Sequence, residues 1–295
     1  MRYCLKYTNL CKNLSKADEI QIQYIEDRGL LKFLEKFAAQ RIILALESFL
    51  PDSELGKLIA IHNQYPEYNF AVAFKNLDTC NFAKLAETGI PFFVREPCQD
   101  WETFHYLLSI GVSDINISGP LAFELNKVAA KQAFDRPVII RVTPNITQSL
   151  RGTTDDLIKF YIRPDDLDLY EPYVDVIEFA GLDKQDAFFD IYKRKLFIGN
   201  LNQCIYNFNE QVDNKGLTTL FGERRLNCGQ QCIKGGHCRR CYDMKAISIP
   251  MGEKAKEAIQ ATLQAEQEKI NEAIRKKQIK EQADALVAQH MGDEE

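Results

Sequence analysis

The chain has 295 residues, of which 45% are hydrophobic and 27% charged, with a formal net charge of −5. That ordinary globular balance, with no apolar run as long as a membrane span and no signal-peptide pattern at the start, argues for a cytoplasmic protein without a membrane partner. The acidic total excludes wholesale coating of nucleic acid, and nine cysteines without an export signal point to a reducing compartment where thiol and metal chemistry outranks disulfides.

Arg2–Thr8 is compatible with a strand, and from Glu19 a rhythm begins. Glu19–Tyr24 alternates polar and apolar residues, and Leu30–Ala39 has a helical period. Arg41–Leu46 (RIILAL) predicts a buried strand, followed by a helix from Asp52 with Asp or Ser available as its cap. Asn69–Phe74 is the next strand, and Asp78–Glu87 the next helix, closed by Gly89. Pro91–Arg95, a helix over Trp101–Ile110 ended by Gly111, and the strand Asp114–Ile117 repeat the unit. Gly119 and Pro120 open a helix through Ala130, and Pro137–Val142 is another strand. Lys159–Ile162, Asp175–Phe179 and Leu196–Ile198 supply three more, with helices over Asp165–Tyr170 and Asp183–Tyr192.

Short apolar strands alternating with helices mean parallel βαβ units. Eight or nine of them favour a closed (β/α)8-like barrel, an α/β fold, over an open doubly wound sheet. No G-x-G-x-x-G follows the first strand, which removes most support for dinucleotide binding. Barrel chemistry collects at the carboxyl ends of strands. Those ends carry Glu47, Lys75, Arg95 with Glu96, Ser118, Arg141 with Thr143 and Asn145, Arg163, and Glu178. Lys75, Arg95, Arg141 and Arg163 make the expected mouth cationic, suited to a carboxylate or phosphate, with Asn145 beside them. Glu47 and Glu178 are the candidate general acid or base. Ion pairing among these same groups is the competing reading.

After residue 200 the rhythm stops. Residues 201–250 read as an irregular cap, and Cys228, Cys232, Cys238 and Cys241 lie in it with C-x3-C-x5-C-x2-C spacing among Gly229, Gly235 and Gly236. Thiolates bind soft or borderline metals, and glycines allow a short backbone to fold around one centre. A compact Cys4 run suits an iron–sulfur cluster (4Fe–4S) more than zinc, whose ribbons usually pair two C-x2-C knuckles. Cys204 is an extra ligand or, by slight preference, a free thiol. Arg224, Arg225, Lys234, Arg239, Arg240 and Lys245 form a local basic run that could hold phosphate or RNA backbone. Residues 251–295 predict a charged helix with no Pro or Gly between Glu253 and Met291, docked on the barrel, paired with a second copy or another protein, or solvated. The expected domains are therefore 1–200, 201–250 and 251–295.

Three stretches carry a family likeness. GVSDINISGPLAFELNKV, PVIIRVTPNIT and FYIRPDDLDLYEPYVDVIEFAG resemble segments of the collagenase-like "U-thirty-two" peptidase family over roughly residues 40–200. The resemblance implies a barrel with a cysteine-ligated iron–sulfur cluster and activity on RNA or small aromatic substrates, oxygen-independent hydroxylation included. Arg163 and Glu178 match its motifs best, whereas its thiols are more dispersed than these four. The leading expectation is a metal-dependent barrel enzyme that modifies RNA or a small anionic substrate. One alternative is a zinc-bearing barrel resembling tRNA-guanine transglycosylases, with Asp165, Asp166 and Asp175 as candidate nucleophiles, although that family's C-x-C-x2-C…His spacing is missing. Another is a non-catalytic scaffold whose metal site is structural.

Overall fold

A computed structural model of the chain describes residues 1–23, 27–79, 87–117, 119–122, 124, 137–145, 161–208, 212–214 and 217. The chain divides into two units, Met1–Ile249 and Pro250–Glu295, and every described residue lies in the first. The cysteine run, the basic run, Ser118 and the C-terminal segment fall outside the described residues.

Eight strands form one all-parallel sheet: β1 (Arg2–Lys6), β2 (Glu19–Gln23), β3 (Arg41–Leu46), β4 (Phe70–Phe74), β5 (Phe92–Val94), β6 (Asp114–Ile117), β7 (Ile139–Val142) and β8 (Val176–Glu178). Their order is β5-β4-β3-β2-β1-β8-β7-β6, so β1 is flanked by both β2 and β8. The remaining seam between β5 and β6 is drawn together just beyond β5. There the Cys98 N–H donates to the Asn116 carbonyl at 2.8 Å, and Asn116 Nδ2 donates to the Arg95 carbonyl at 2.7 Å. The result is a nearly closed (β/α)8-like barrel. Strands such as RIILAL and FAVAF are buried along their whole length, as a parallel sheet covered on both faces requires.

The described helices are α1 (Asp27–Lys36), α2 (Asp52–Gln64), α3 (Trp101–Ser109), the single turns α4 (Gly119–Ala122) and α5 (Leu167–Tyr170), and α6 (Gln185–Arg194). Leu30, Leu34 and Phe37 bury one side of α1 and its exit, four and three residues apart, against the outward residues of the sheet. Helix α3 ends in a Schellman motif: Val112 N–H bonds the Leu107 carbonyl and Gly111 N–H the Leu108 carbonyl, both at 3.1 Å. Gly111 sits at φ 99°, which a Cβ would disfavour, so glycine is the stop signal there.

Three sequence expectations change. The barrel begins at β1 rather than at Glu19, because β1 is the strand that joins β2 to β8. Tyr161–Ile162 and Leu196–Ile198 are not strands: the first leads into a 3-10 turn at Pro164–Asp166, and the second follows the left-handed Lys195 that ends α6. Helix α2 is capped at Pro51 with no side-chain cap bond, and Asp52 and Glu54 instead lie in its first turn, where the helix dipole favours acids. Residues 80–86 of the expected helix after β4 lie outside the described residues.

Side chains alternate between the helix layer and the lumen. Ile20, Ile22, Ile42, Leu44, Leu46, Val72, Phe74, Ile115 and Ile140 face the helices and make the apolar core. The lumen set is unusual for a barrel, whose interior is normally filled by branched apolar residues. It contains Arg2, Cys4 and Lys6 of β1, Glu19 and Gln21 of β2, Arg41 of β3, Asp114 and Asn116 of β6, Arg141 of β7 and Glu178 of β8. Ile43, Phe93 and Val176 share the lumen by the same register, and Ala45, Ala71 and Ala73 of β3 and β4 are its small members.

Candidate functional site

At the amino ends of the strands the lumen is closed by charge. Arg141 Nη2 donates to Glu19 Oε2 at 2.8 Å and to Asp114 Oδ2 at 2.9 Å, and its Nε reaches Asp114 Oδ1 at 3.2 Å. Arg41 Nη1 bonds the same two carboxylates at 3.3 and 2.9 Å, and Arg2 adds a 2.9 Å ion pair to Glu19. Arg141, Glu19 and Asp114 are all 0% exposed, and the Arg141 guanidinium lies 4.5 Å from the Phe93 ring centre. Burial alone would make Arg141 easier to deprotonate, but the Asp114 and Glu19 carboxylates outweigh it and hold the cation firmly charged. Arg141 was expected at the mouth; it lies instead among the buried ion pairs, because it alternates inward one residue before the strand ends.

Two other expected site residues also serve as fasteners. Asn145 accepts from the Ala180 N–H at 2.9 Å and donates to the Ala180 carbonyl at 3.1 Å, tying the segment after β7 to the one after β8. Its own carbonyl accepts from Tyr206 N–H at 2.8 Å. Arg163 caps the 3-10 turn Pro164–Asp166 and forks onto Asp166 through Nε and Nη2 at 2.7 and 2.6 Å, while Nη1 reaches the Leu217 carbonyl at 3.3 Å. The carboxylates suggested as nucleophiles are held likewise: Asp166 by Arg163, Asp165 by Asn214 Nδ2 at 2.9 Å, and Asp175 by the Ile140 N–H at 2.7 Å. Asp175 precedes β8, at the amino end of the barrel.

The carboxyl face does bring four expected residues to strand ends. Glu47, Lys75 and Arg95 follow β3, β4 and β5. Arg95 Nη2 donates to Glu47 Oε1 at 2.6 Å and to the Leu46 carbonyl at 2.8 Å, and Lys75 lies 3.9 Å from the other Glu47 oxygen. Glu47 and Lys75 are more than half exposed, so this group forms a solvated rim. Glu178 is different: it is buried at the end of β8 and paired through Oε1 with Lys6 at 3.2 Å. Glu96 turns away from the mouth and helps line a cavity of ≈350 Å³ with Val94, Cys98 and Asp100, on the helix side of β5.

Sequence reading missed Lys6, Gln21 and Asn116. Each is a polar residue that alternates with apolar ones along its strand, and that inward alternation was the available signal. Five buried polar atoms in or above the lumen have no hydrogen-bond partner among the described residues: Gln21 Oε1, Arg95 Nε, Asn116 Oδ1, Arg141 Nη1 and Glu178 Oε2. An unsatisfied buried polar atom costs about 1–3 kcal/mol, so such a concentration marks a place where water or a ligand completes the bonding. Cys4 sits among them, its thiol pushed well above its ordinary pKa by burial, with Arg141, Glu178, Glu19 and Lys6 as its charged neighbours.

Cys204 is a core thiol rather than an exposed one. It lies 3.1 Å from Tyr161 Oη, bonds the Leu201 carbonyl at 3.4 Å, and burial pushes its pKa up to about 12. Among the described residues no group of three His, Cys, Asp or Glu is placed to hold a metal ion, and no helix is long and apolar enough to cross a membrane. No protein-family model, curated protein or solved structure matches the chain.

Proposed function

We propose that this chain is a barrel enzyme acting on a small anionic substrate held in the carboxyl half of the lumen. The observation that carries the reading is the set of buried polar atoms without partners beneath a barrel mouth. The charge balance supports an anion: Arg2, Lys6, Arg41, Arg95 and Arg141 face Glu19, Glu47, Asp114 and Glu178, one carboxylate fewer than the cations. Arg95 would offer its Nε to the substrate while Glu47 and the Leu46 carbonyl fix its plane. Glu178, with one oxygen on Lys6 and the other uncommitted, would accept or return a proton at the substrate. An eight-stranded barrel is wide enough for side chains or one small ligand, which favours a small molecule over a folded RNA surface. A nucleotide of RNA presented from outside would rely on the basic run at residues 224–245, on sequence grounds alone.

The proposal also assigns Cys228, Cys232, Cys238 and Cys241 to one metal centre, with a 4Fe–4S cluster preferred to zinc, on their number and spacing. A cluster would supply electron transfer or Lewis acidity.

The test is calorimetric titration of the full chain, purified without oxygen, with inorganic phosphate and small carboxylates. At least one anion should bind, and Arg95→Gln should weaken it about 10–100-fold, the size of a charge-assisted hydrogen bond. Absence of binding, or unchanged affinity in Arg95→Gln, overturns the reading.

A further inference from the structure

Two uncommitted acceptors of the lumen stand opposite an uncommitted donor. Gln21 Oε1 and Glu178 Oε2, both acceptors, stand on β2 and β8, the two strands flanking β1. Gln21 is level with Lys6 in the pairing of β1 with β2, and Glu178 is level with Cys4 in the pairing of β1 with β8. Arg95 Nε, a donor, comes from beyond β5, across the ring of eight strands from β1, while Arg141 Nη1, also a donor, stands on β7, the neighbour of β8. Asn116 lies on β6, level with Arg141, and its unpartnered Oδ1 is an acceptor that a water on Arg141 Nη1 can serve.

A simple anion answers only the donors. Its oxygens would face Gln21 Oε1 and Glu178 Oε2 with no hydrogen to offer, leaving two buried acceptors unpaired and one carboxylate beside another. An ammonium group has three hydrogens and a positive charge, which suits an amide oxygen and a carboxylate oxygen together. Cys4 of β1 stands between these acceptors, level with Glu19 of β2 on one side and Glu178 of β8 on the other. Ala45 and Ala73 keep the neighbouring β3–β4 wall low.

Resting on the proposed lumen site, we infer that its ligand is a small zwitterion, an α-amino acid or a close analogue, with ammonium toward Gln21 and Glu178 and carboxylate toward Arg95. The α-amino acid class fits because both charged groups sit on one carbon, short enough for the narrow lumen.

The experiment is isothermal titration of the full chain with glycine, L-alanine and L-phenylalanine. The same titration is run with acetate, propionate and 3-phenylpropionate, with ethylamine and phenethylamine, and with inorganic phosphate. At least one amino acid should bind tenfold or more tightly than its matching acid and its matching amine. Glu178→Gln should shrink that preference while leaving carboxylate binding in place. Gln21→Met should shrink it in the same direction, which guards against a folding defect in the first variant. Equal binding of an acid or phosphate overturns the zwitterion and leaves the anion site standing, whereas equal binding of an amine, with no acid or phosphate bound, overturns both. Absence of binding by every compound overturns both.

Discussion

Arg141 and Glu19 meet across the lumen at 2.8 Å, from strands that are not neighbours in the sheet, and both side chains are wholly buried. Asp114 and Arg41 complete the set, so each buried charge is answered by an opposite one. A pair of this kind adds little net stability compared with apolar residues of equal volume, because desolvating two ions costs about what their attraction returns. Removing one member is a different matter, since it strands the other.

We therefore expect Arg141→Met to lose about 3–5 kcal/mol in urea unfolding, through uncompensated Glu19 and Asp114. A change below about 1 kcal/mol would show that water already screens the cluster.

Arg163→Ala should likewise fail in folding before it fails in binding. Its fork onto buried Asp166 closes the 3-10 turn and holds the Leu217 carbonyl, so we expect a loss of about 3–5 kcal/mol. Arg163→Met combined with Asp166→Leu should recover part of that loss. Urea melts of the two variants and the double variant decide it, and additive losses would count against a coupled pair.

Acid sensitivity should reside partly at Asp186. Burial pushes its carboxyl up, but hydrogen bonds from the Lys12 and Asn13 N–H groups and the Cys11 thiol, with the Asn13 side chain beside them, outweigh it and hold the pKa below the usual value. A lowered acid contributes stability that is present above its unfolded pKa of about 3.9 and lost as pH falls through the folded value. Asp186→Asn should thus be less stable than the parent at pH 7, by about 1–3 kcal/mol for lost charged hydrogen bonds. The gap should narrow below about pH 4. Thermal melts from pH 7 to pH 3 read this directly, and a constant gap would place the effect elsewhere.

The thiols should divide by accessibility. Burial pushes Cys98 and Cys204 up to about 12, and burial with the Asp186 hydrogen bond pushes Cys11 to about 11. At pH 8 these three and Cys4 should resist iodoacetamide in folded protein. If Cys228, Cys232, Cys238 and Cys241 hold one centre, they should be protected as a group until a chelator removes the metal. Mass mapping of alkylated peptides with and without chelator shows which sites react. Labelling of one of the four ahead of the others in metal-loaded protein would break the common-centre reading.

Gly181→Ala should cost about 1–3 kcal/mol. The residue sits at φ 82°, and a Cβ there would drive into the Tyr206 ring, whose N–H anchors the Asn145 carbonyl. A variant as stable as the parent would show that the Asn145–Ala180 fastener does not need this geometry.

How much of this was open to sequence reading follows from the range of each interaction. The β3, β4, β6 and β7 strands, the Gly111 stop and the parallel barrel follow from local period and turn chemistry, which act within a few residues. Glu47, Lys75, Arg95 and Glu178 were legible as strand-end residues because the end of an apolar run is a local feature. Whether an arginine at such an end faces a substrate or another residue of the chain is not local. The partners of Arg141 are 122 and 27 residues away, Arg163 closes a loop through residue 217, and Asn145 reaches 35 residues on to Ala180. Those separations are fixed only when the sheet rolls up, and the same step moves polar β1, β2 and β6 residues from an alternating pattern to a shared lumen. Sequence determined the barrel and its charged ends; tertiary structure decided which charges neutralise one another and which buried polar atoms are left without a partner among the described residues.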